Sequence, residues 1–293
     1  ARAKELRPNA RWAALRLFEI EARDGHWQAA GNRLNEAARR RMIPEARARH
    51  HRGVIQYELS RAVLAEGDRR RALTLAADAQ NATPDLAVPA AFHARLLLAE
   101  SRTGPAARAV ERAWREAPGA ELARVWSEIH AGEAPLAQFK NMERLAAQNP
   151  ADRESHLALA EAALMAGLPG EARRRLDMAR AAPPGATPRL CLLLARLEEA
   201  EGGTPARQRE WLDRAAAAPP DPRYVCENCR GESLDWASRC PHCGGFDTLS
   251  RGIPSWAAPG EDVPALARTD PAKDDTAGFY LPEEPLGARF GTG

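Results

Sequence analysis

Up to about residue 218, apolar positions recur with helical spacing, and the alternation expected of strands is nearly absent before residue 223. Each Ala-rich amphipathic stretch is closed by a proline. Pro84, Pro118, Pro150, Pro184 and Pro219 are 34, 32, 34 and 35 residues apart. A period near 34 is that of one helix–turn–helix unit of a tetratricopeptide array. In the unit closed by Pro84, Gly67 falls at the turn, and Ala72 and Ala79 take the small positions of the second helix. The unit closed by Pro184 repeats this with Gly167, Ala172, Leu176 and Ala179, while Leu159 and Ala163 line its first helix. Alanine lets paired helices approach closely, glycine permits the sharp turn, and proline stops the second helix.

An earlier unit reads around Gly25, with Leu17 before the turn and Ala30, Leu34 and Ala37 after it. The units around Gly104 and Gly132 are weaker, the former one residue out of phase. The last, around Gly202, has Arg207 at a small position and Trp211 at a large one. About six helical pairs result, against the three or so that a stable stack needs. The competing reading is a generic Ala-rich helical bundle. A content of 44% hydrophobic but only 5% aromatic residues suits alanine- and leucine-packed helices.

Beyond the repeats the chemistry is concentrated in four cysteines. Tyr224-Val225-Cys226-Glu227-Asn228-Cys229 is followed by Cys240-Pro241-His242-Cys243-Gly244-Gly245. Two Cys-x-x-Cys turns at this separation point to a tetrahedral metal site with Cys226, Cys229, Cys240 and Cys243 as ligands. Gly231, Gly244 and Gly245 leave backbone amides free to face the sulfurs. Disulfides are the alternative, disfavoured by the strain of pairing within Cys-x-x-Cys. A complete thiolate shell leaves no position for water, so the metal is expected to be structural Zn2+, with iron accepted by the same ligands. His242 lies inside the second turn, where the four thiolates already complete the shell. Cys191, within Leu190-Cys191-Leu192-Leu193-Leu194, reads as a small core hydrophobe. This cysteine usage indicates a reducing compartment such as the cytoplasm.

Residues 1–222 carry an excess of arginine over acid, with runs at Arg39-Arg40-Arg41 and Arg173-Arg174-Arg175. Arginines paired with glutamates on solvated helix faces account for these better than a nucleic-acid surface does, and nucleic-acid binding ranks well below protein binding. No phosphate loop, His-Glu-x-x-His or Gly-x-Ser-x-Gly occurs, so an enzyme is not expected. His50, His51 and His93 sit in helical sequence and read as surface or packing residues. No apolar run reaches membrane-spanning length. The chain opens at Ala1 and enters helical sequence almost at once, and so reads as a piece of a longer protein. The stretch 251–293 holds six prolines, four basic and seven acidic residues, and is expected to be disordered. Its one aromatic cluster, Phe279-Tyr280-Leu281, is a candidate docking motif.

Helical repeats followed by Tyr-Val-Cys-x-x-Cys, Trp236, Arg-Cys-Pro-x-Cys and Phe246-Asp247-Thr248 resemble the C-terminal part of the HemY family, in its alphaproteobacterial form. That resemblance covers essentially the whole chain through generic motifs. It implies a link to haem biosynthesis and anchoring at the cytoplasmic face of the inner membrane through an N-terminal region missing from this chain. The LapB-type adaptors, tetratricopeptide repeats ending in a rubredoxin-like metal domain and acting toward a membrane protease, are similar in plan but lack the long segment after the ribbon. A nucleic-acid-binding or metal-sensing regulator built on the ribbon is the remaining alternative.

The expected architecture is all-α: a tetratricopeptide-like α-solenoid over 1–218, a rubredoxin-like zinc ribbon over 223–250, and a Pro-rich acidic tail over 251–293. A protein or peptide ligand is expected on the concave face of the repeats, with Arg16, Gln56, Arg95 and Arg196 as candidate contacts. The short linker Pro219-Pro220-Asp221-Pro222 predicts that the ribbon docks on the last helical pair, near Leu194, Leu197, Trp211 and Leu212, and caps the array.

Overall fold

The computed structural model describes residues 11–254. Residues 255–293, most of the stretch expected to be disordered, lie outside the described residues, as do residues 1–10. Twelve helices among the described residues form successive pairs: α1 (Arg11–Asp24) with α2 (Trp27–Arg39), α3 (Glu45–Ala65) with α4 (Arg69–Ala82), and α5 (Ala87–Ala99) with α6 (Thr103–Glu116). They continue as α7 (Ala120–Ile129), α8 (Pro135–Ala146), α9 (Arg153–Met165), α10 (Pro169–Ala181), α11 (Pro188–Ala200) and α12 (Pro205–Ala217). Three short strands follow: β1 (Arg223–Cys226), β2 (Glu232–Ser233) and β3 (Leu249–Gly252). This is a tetratricopeptide-type α-solenoid with a small three-stranded module after its last pair.

The repeat positions read from sequence lie at the helix–helix seams. Ala72, Ala79, Ala172, Leu176, Ala179, Ala30, Leu34 and Ala37 are all fully buried. Small side chains here let the helices close on one another. The turn glycines Gly25, Gly67, Gly132, Gly167 and Gly202 all have positive φ, a conformation that costs glycine little. Caps and helix-initiating prolines set the boundaries: the Asp68 and Thr204 side chains accept from backbone N–H groups of α4 and α12. Proline opens α8, α10, α11 and α12. Of the first arginine run, Arg40 pairs with Glu36, and all three members of the second are paired. Arg174 and Arg175 bond Glu171, and Arg173 reaches across to Glu198 and Glu201 on the next pair. Cys191 is fully buried, and burial raises its thiol pKa, as befits a packing residue.

Two units depart from the regular pattern. Gly104 is inside α6, and Ser101, with φ 58°, takes the left-handed turn position instead, three residues earlier. Gly104 is thus three residues out of phase with the turn, not the one expected. The fourth pair is splayed: α7 is only 10 residues long and packs mainly on α5 and α6, whereas α8 packs on α9. An open groove of about 660 Å³ is left between α7, α8 and α9.

The cap expected at the last pair is not there. α12 has no buried residue, Leu212 is 48% exposed, and Trp211 lies under the guanidinium of Arg214. The three-stranded module turns back instead onto the first half of the array. Its aromatic side chains meet Phe18, Trp27 and Tyr57 there, whereas α11 and α12 carry a single aromatic residue, Trp211. Leu176 and Leu212 should therefore respond very differently to truncation. Leu176→Ala is expected to cost roughly 2–5 kcal/mol in denaturant unfolding, and Leu212→Ala less than about 0.5 kcal/mol. Equal costs would contradict an uncapped last pair.

Candidate metal centre and its docking face

β1 is the central strand of an antiparallel sheet ordered β2-β1-β3, with Tyr224 opposite Ser233 on one side and Arg251 on the other. Cys226 ends β1 and Cys229 follows after a tight turn closed by Arg230 N–H donating to Cys226 O, 2.9 Å. Cys240 and Cys243 stand on an equivalent turn, closed by Gly244 N–H to Cys240 O, also 2.9 Å. The four sulfurs are brought together: Cys226 Sγ lies 3.7 Å from Cys243 Sγ, and Cys229 Sγ 3.7 Å from Cys240 Sγ. A tetrahedron with bonds of about 2.3 Å from a central zinc to sulfur has edges of roughly this length. Disulfides do not form; all four are free cysteines.

The surroundings suit thiolates. Gly231 N–H donates to Cys229 Sγ and His242 N–H to Cys240 Sγ, each at 3.4 Å, and the Thr248 hydroxyl is 3.2 Å from Cys226 Sγ. Burial works to raise the Cys226 thiol, but Thr248 and the amides of its own turn bring it down to about 7. Burial and the neighbouring sulfurs push Cys243 up to about 12. Four thiols this close cannot all ionise without a cation among them, so the donor set fits a dication. Gly231 is required for another reason: a Cβ there would come within 2.5 Å of the His242 ring. His242 itself is turned away from the sulfurs, its Nε2 2.8 Å from Glu232 O.

The module docks on the face lined by first helices. Phe246 sits among Phe18 of α1, Trp27 of α2 and His51 of α3, with ring centroids 5.4–6.1 Å apart. Trp236 meets Tyr57 of α3 edge-on at 5.5 Å. Val54 of α3 is fully buried in a cluster with Tyr224, Cys226, Trp236, Cys240 and Leu249. Trp236 and Tyr224 thus pack on α3, where the linker had suggested the terminal helix. Polar contacts pin the same surface. Ser238 donates to Glu58 (2.6 Å), Arg239 donates to Arg23 O (2.7 Å), and Arg251 lies 3.6 Å from Glu154 of α9.

The centre of this interface is Asp247. Its Oδ2 accepts from His50 Nδ1 (2.9 Å) and His51 Nδ1 (2.7 Å). His50 donates its other N–H to Asp85, 3.1 Å away, and so is held as an imidazolium. The hydrogen bonds to Asp247 and Asp85 carry the His50 pKa to about 10 against the opposing effect of burial. Burial works to raise Asp247, and the two histidines outweigh it, holding its carboxyl below the usual carboxylate range. His50, His51 and Asp247 also cluster closely enough to hold a metal ion. Their 2.7–2.9 Å separations are those of hydrogen bonds, shorter than the roughly 3.3 Å edge expected of a tetrahedron with 2.0 Å metal bonds.

Sequence reasoning read His50 and His51 as surface or packing residues and missed this role. The available signal was the adjacent His-His pair on a helix, with an aspartate next to an aromatic residue in the metal module. Of the candidate contacts on the repeats, Arg95 bridges to Glu128 on α7 at 2.8 Å, Arg16 pairs with Glu19, and Arg196 is exposed. His93 is buried and bonded to Gln80 at 2.7 Å, a packing role as expected.

No family model matches the chain. It is 32% identical over 237 residues to the "Probable magnetosome protein Mms48" of Magnetospirillum gryphiswaldense, an alignment covering 80% of this chain and 52% of that protein. The chain thus spans about half the length of this curated relative. Among solved structures, MamA matches with a TM-score of 0.36 and 14% identity, over 54% of this chain and 92% of that one. YrrB, described as a tetratricopeptide protein with an unusual peptide-binding site, matches at 0.34 and 14% over 57% and 86%. PilF of Pseudomonas aeruginosa matches at 0.37 and 16% over 72% and 90%.

Replacing Cys226 and Cys229 by serine should unfold the module while leaving most of the helical circular dichroism. Hydrogen exchange should accelerate in α1 and α3 and stay unchanged in α11 and α12; the reverse pattern would contradict the observed docking. The ion pairs add a pH dependence. His50 is raised from 6.5 to about 10, so its contribution is complete below about pH 6.5 and is lost as the pH rises toward 10. Asp247 is lowered from 3.8, so its contribution is present above that value and is lost as the pH falls through the lowered one. Protection of residues 236–252 should peak between about pH 4 and 6.5, and His50→Ala should remove the decline on the alkaline side.

Proposed function

We propose that this chain is a non-catalytic protein-interaction scaffold whose metal module is stapled by structural zinc on Cys226, Cys229, Cys240 and Cys243. The carrying observation is that the face lined by first helices already grips one polypeptide segment, Phe246-Asp247, through an aromatic pocket and paired histidines. Further along the same face, α7 and α9 leave a groove uncovered. The scaffold reading assigns the first half of the concave face to the module and the second half to a partner peptide. Zinc supplies no reaction here; it would fix the two turns that present Phe246 and Asp247. Iron in the same site would leave this reading intact.

The relation to a magnetosome protein supports a magnetosome-type assembly as the setting, and the resemblance to HemY proteins supports a link to haem biosynthesis at the inner membrane. No helix among the described residues is long and apolar enough to cross a membrane.

A photo-crosslinking residue at Met165, which lines the groove and is exposed, should yield a discrete protein adduct when the full chain is expressed in cells of the source organism. The same residue at Arg70, on the exposed surface of α4, should not. Metal analysis of the purified chain should return about one zinc per chain, as one four-thiolate site requires. Equal labelling from both positions would remove the groove from the proposal, and a metal-free folded module would remove the zinc.

A further inference from the structure

We propose that the groove between α7, α8 and α9 is filled by the chain's own Phe279-Tyr280-Leu281 segment, with Glu283 and Glu284 against its cationic rim. The proposal deepens the scaffold reading and rests on it only in taking this groove as a peptide site.

Four observations converge. The groove measures about 660 Å³, the size of a pocket that holds one or two aromatic side chains. Its walls combine the small Ala123, Ala158 and Ala162 with Met142, Met165 and Trp126, and Met165 is 62% exposed. Methionine adapts its shape to aromatic rings, and alanine leaves room for a backbone to approach.

The polar groups of the groove are those an acceptor-rich segment would satisfy. Glu128 is bound by Arg95 and Glu161 by Arg189, so both acids are already neutralised. Arg124 is exposed and has only the backbone oxygen of Ala120 as a hydrogen-bond partner, and exposed Arg196 lies on the neighbouring α11. Trp126 contributes its ring to the groove wall.

The chain is delivered to this spot. β3 carries Arg251 to within 3.5 Å of Pro118 O, immediately before α7, and Arg251 also reaches Glu154 at the start of α9. Ala120 and Ala158, one helical turn or less beyond those contacts, line the groove. Pro254 is buried. Only 24 residues separate Pro254 from Phe279. A flexible linker of that length spans about 27 Å, enough to bring the segment to the groove at high effective concentration.

The segment has matching chemistry. Residues 255–293 carry three basic and seven acidic side chains, and their one aromatic cluster is followed directly by Pro282-Glu283-Glu284. Within the module, Phe246-Asp247 is the same pairing of aromatic anchor and carboxylate, held on the first-helix face of α1 and α3. The second site would repeat that mode three pairs further on, with the segment and a partner peptide competing for one groove.

The test uses the full, metal-loaded chain. Changing Phe279, Tyr280 and Leu281 together to serine should raise hydrogen exchange in residues 120–131 and 153–165 about tenfold, with α3 unchanged. A photo-crosslinking residue at position 280 should join, within one chain, to Ala162 or Met165. Arg124→Glu should weaken that crosslink, and adding Glu283→Arg with Glu284→Arg should restore it. Unchanged exchange, crosslinks to α12, or crosslinks only between two chains at high concentration would each overturn the proposal. If exchange is unchanged while the Met165 probe still captures a partner, the scaffold reading stands and only the self-occupied groove falls.

Discussion

A carboxylate taken out of water must be matched by charge or hydrogen bonds, and in this protein that requirement falls on Asp247. It is nearly buried where the four-cysteine module meets the repeats, its side chain only 6% exposed, and it receives both His50 and His51. Left unpaired it would cost several kcal/mol. Docking is therefore specified more sharply than apolar contact alone could achieve, because a shifted module would strand a buried charge. Phe246, beside it in sequence, contributes apolar area against Phe18, Trp27 and the same His51 ring. The four-cysteine turns hold both residues on a loop with almost no freedom left to lose.

Much of the fold was legible because repeat geometry is written in short range. Helical pairs need small residues at close approaches, a left-handed residue at the turn and a helix stop, and these recur every 34 residues or so. The four cysteines were legible for a similar reason, since two tight turns that bring four sulfurs together allow little variation in spacing. The docking site was not. It depends on which surface, some two hundred residues away, offers a complementary pocket, and a short proline linker constrains distance but not direction. His50-His51 and Phe246-Asp247 each look ordinary in isolation; their meaning is the contact between them.

The irregular units carry information of a different kind. Ser101 shows that a turn needs a left-handed residue more than it needs glycine, at the modest cost of placing a side chain there. The short α7 shows what happens when a pair fails to close: its partner α8 goes to the next pair, and a seam that alanines would have sealed becomes a groove. A departure from the repeat consensus thus marks the place where the array has surface to offer.

A linear stack of repeats ordinarily behaves as a one-dimensional chain, in which each unit feels only its neighbours and the ends fray independently. Here the stretch after the last pair returns to the first two, so that Arg239 touches Arg23 and Phe246 touches Phe18. The two ends of the array become one structural unit. Unwinding of α1 and α2 must carry the cysteine turns with it, and loss of the turns exposes the first pairs rather than the last. The closure spans more than two hundred residues, so it belongs to the latest stage of folding, after the local pairs have formed. A protein assembled from repeats that could each fail separately thereby acquires a single joint through which its beginning and its end are stabilised together.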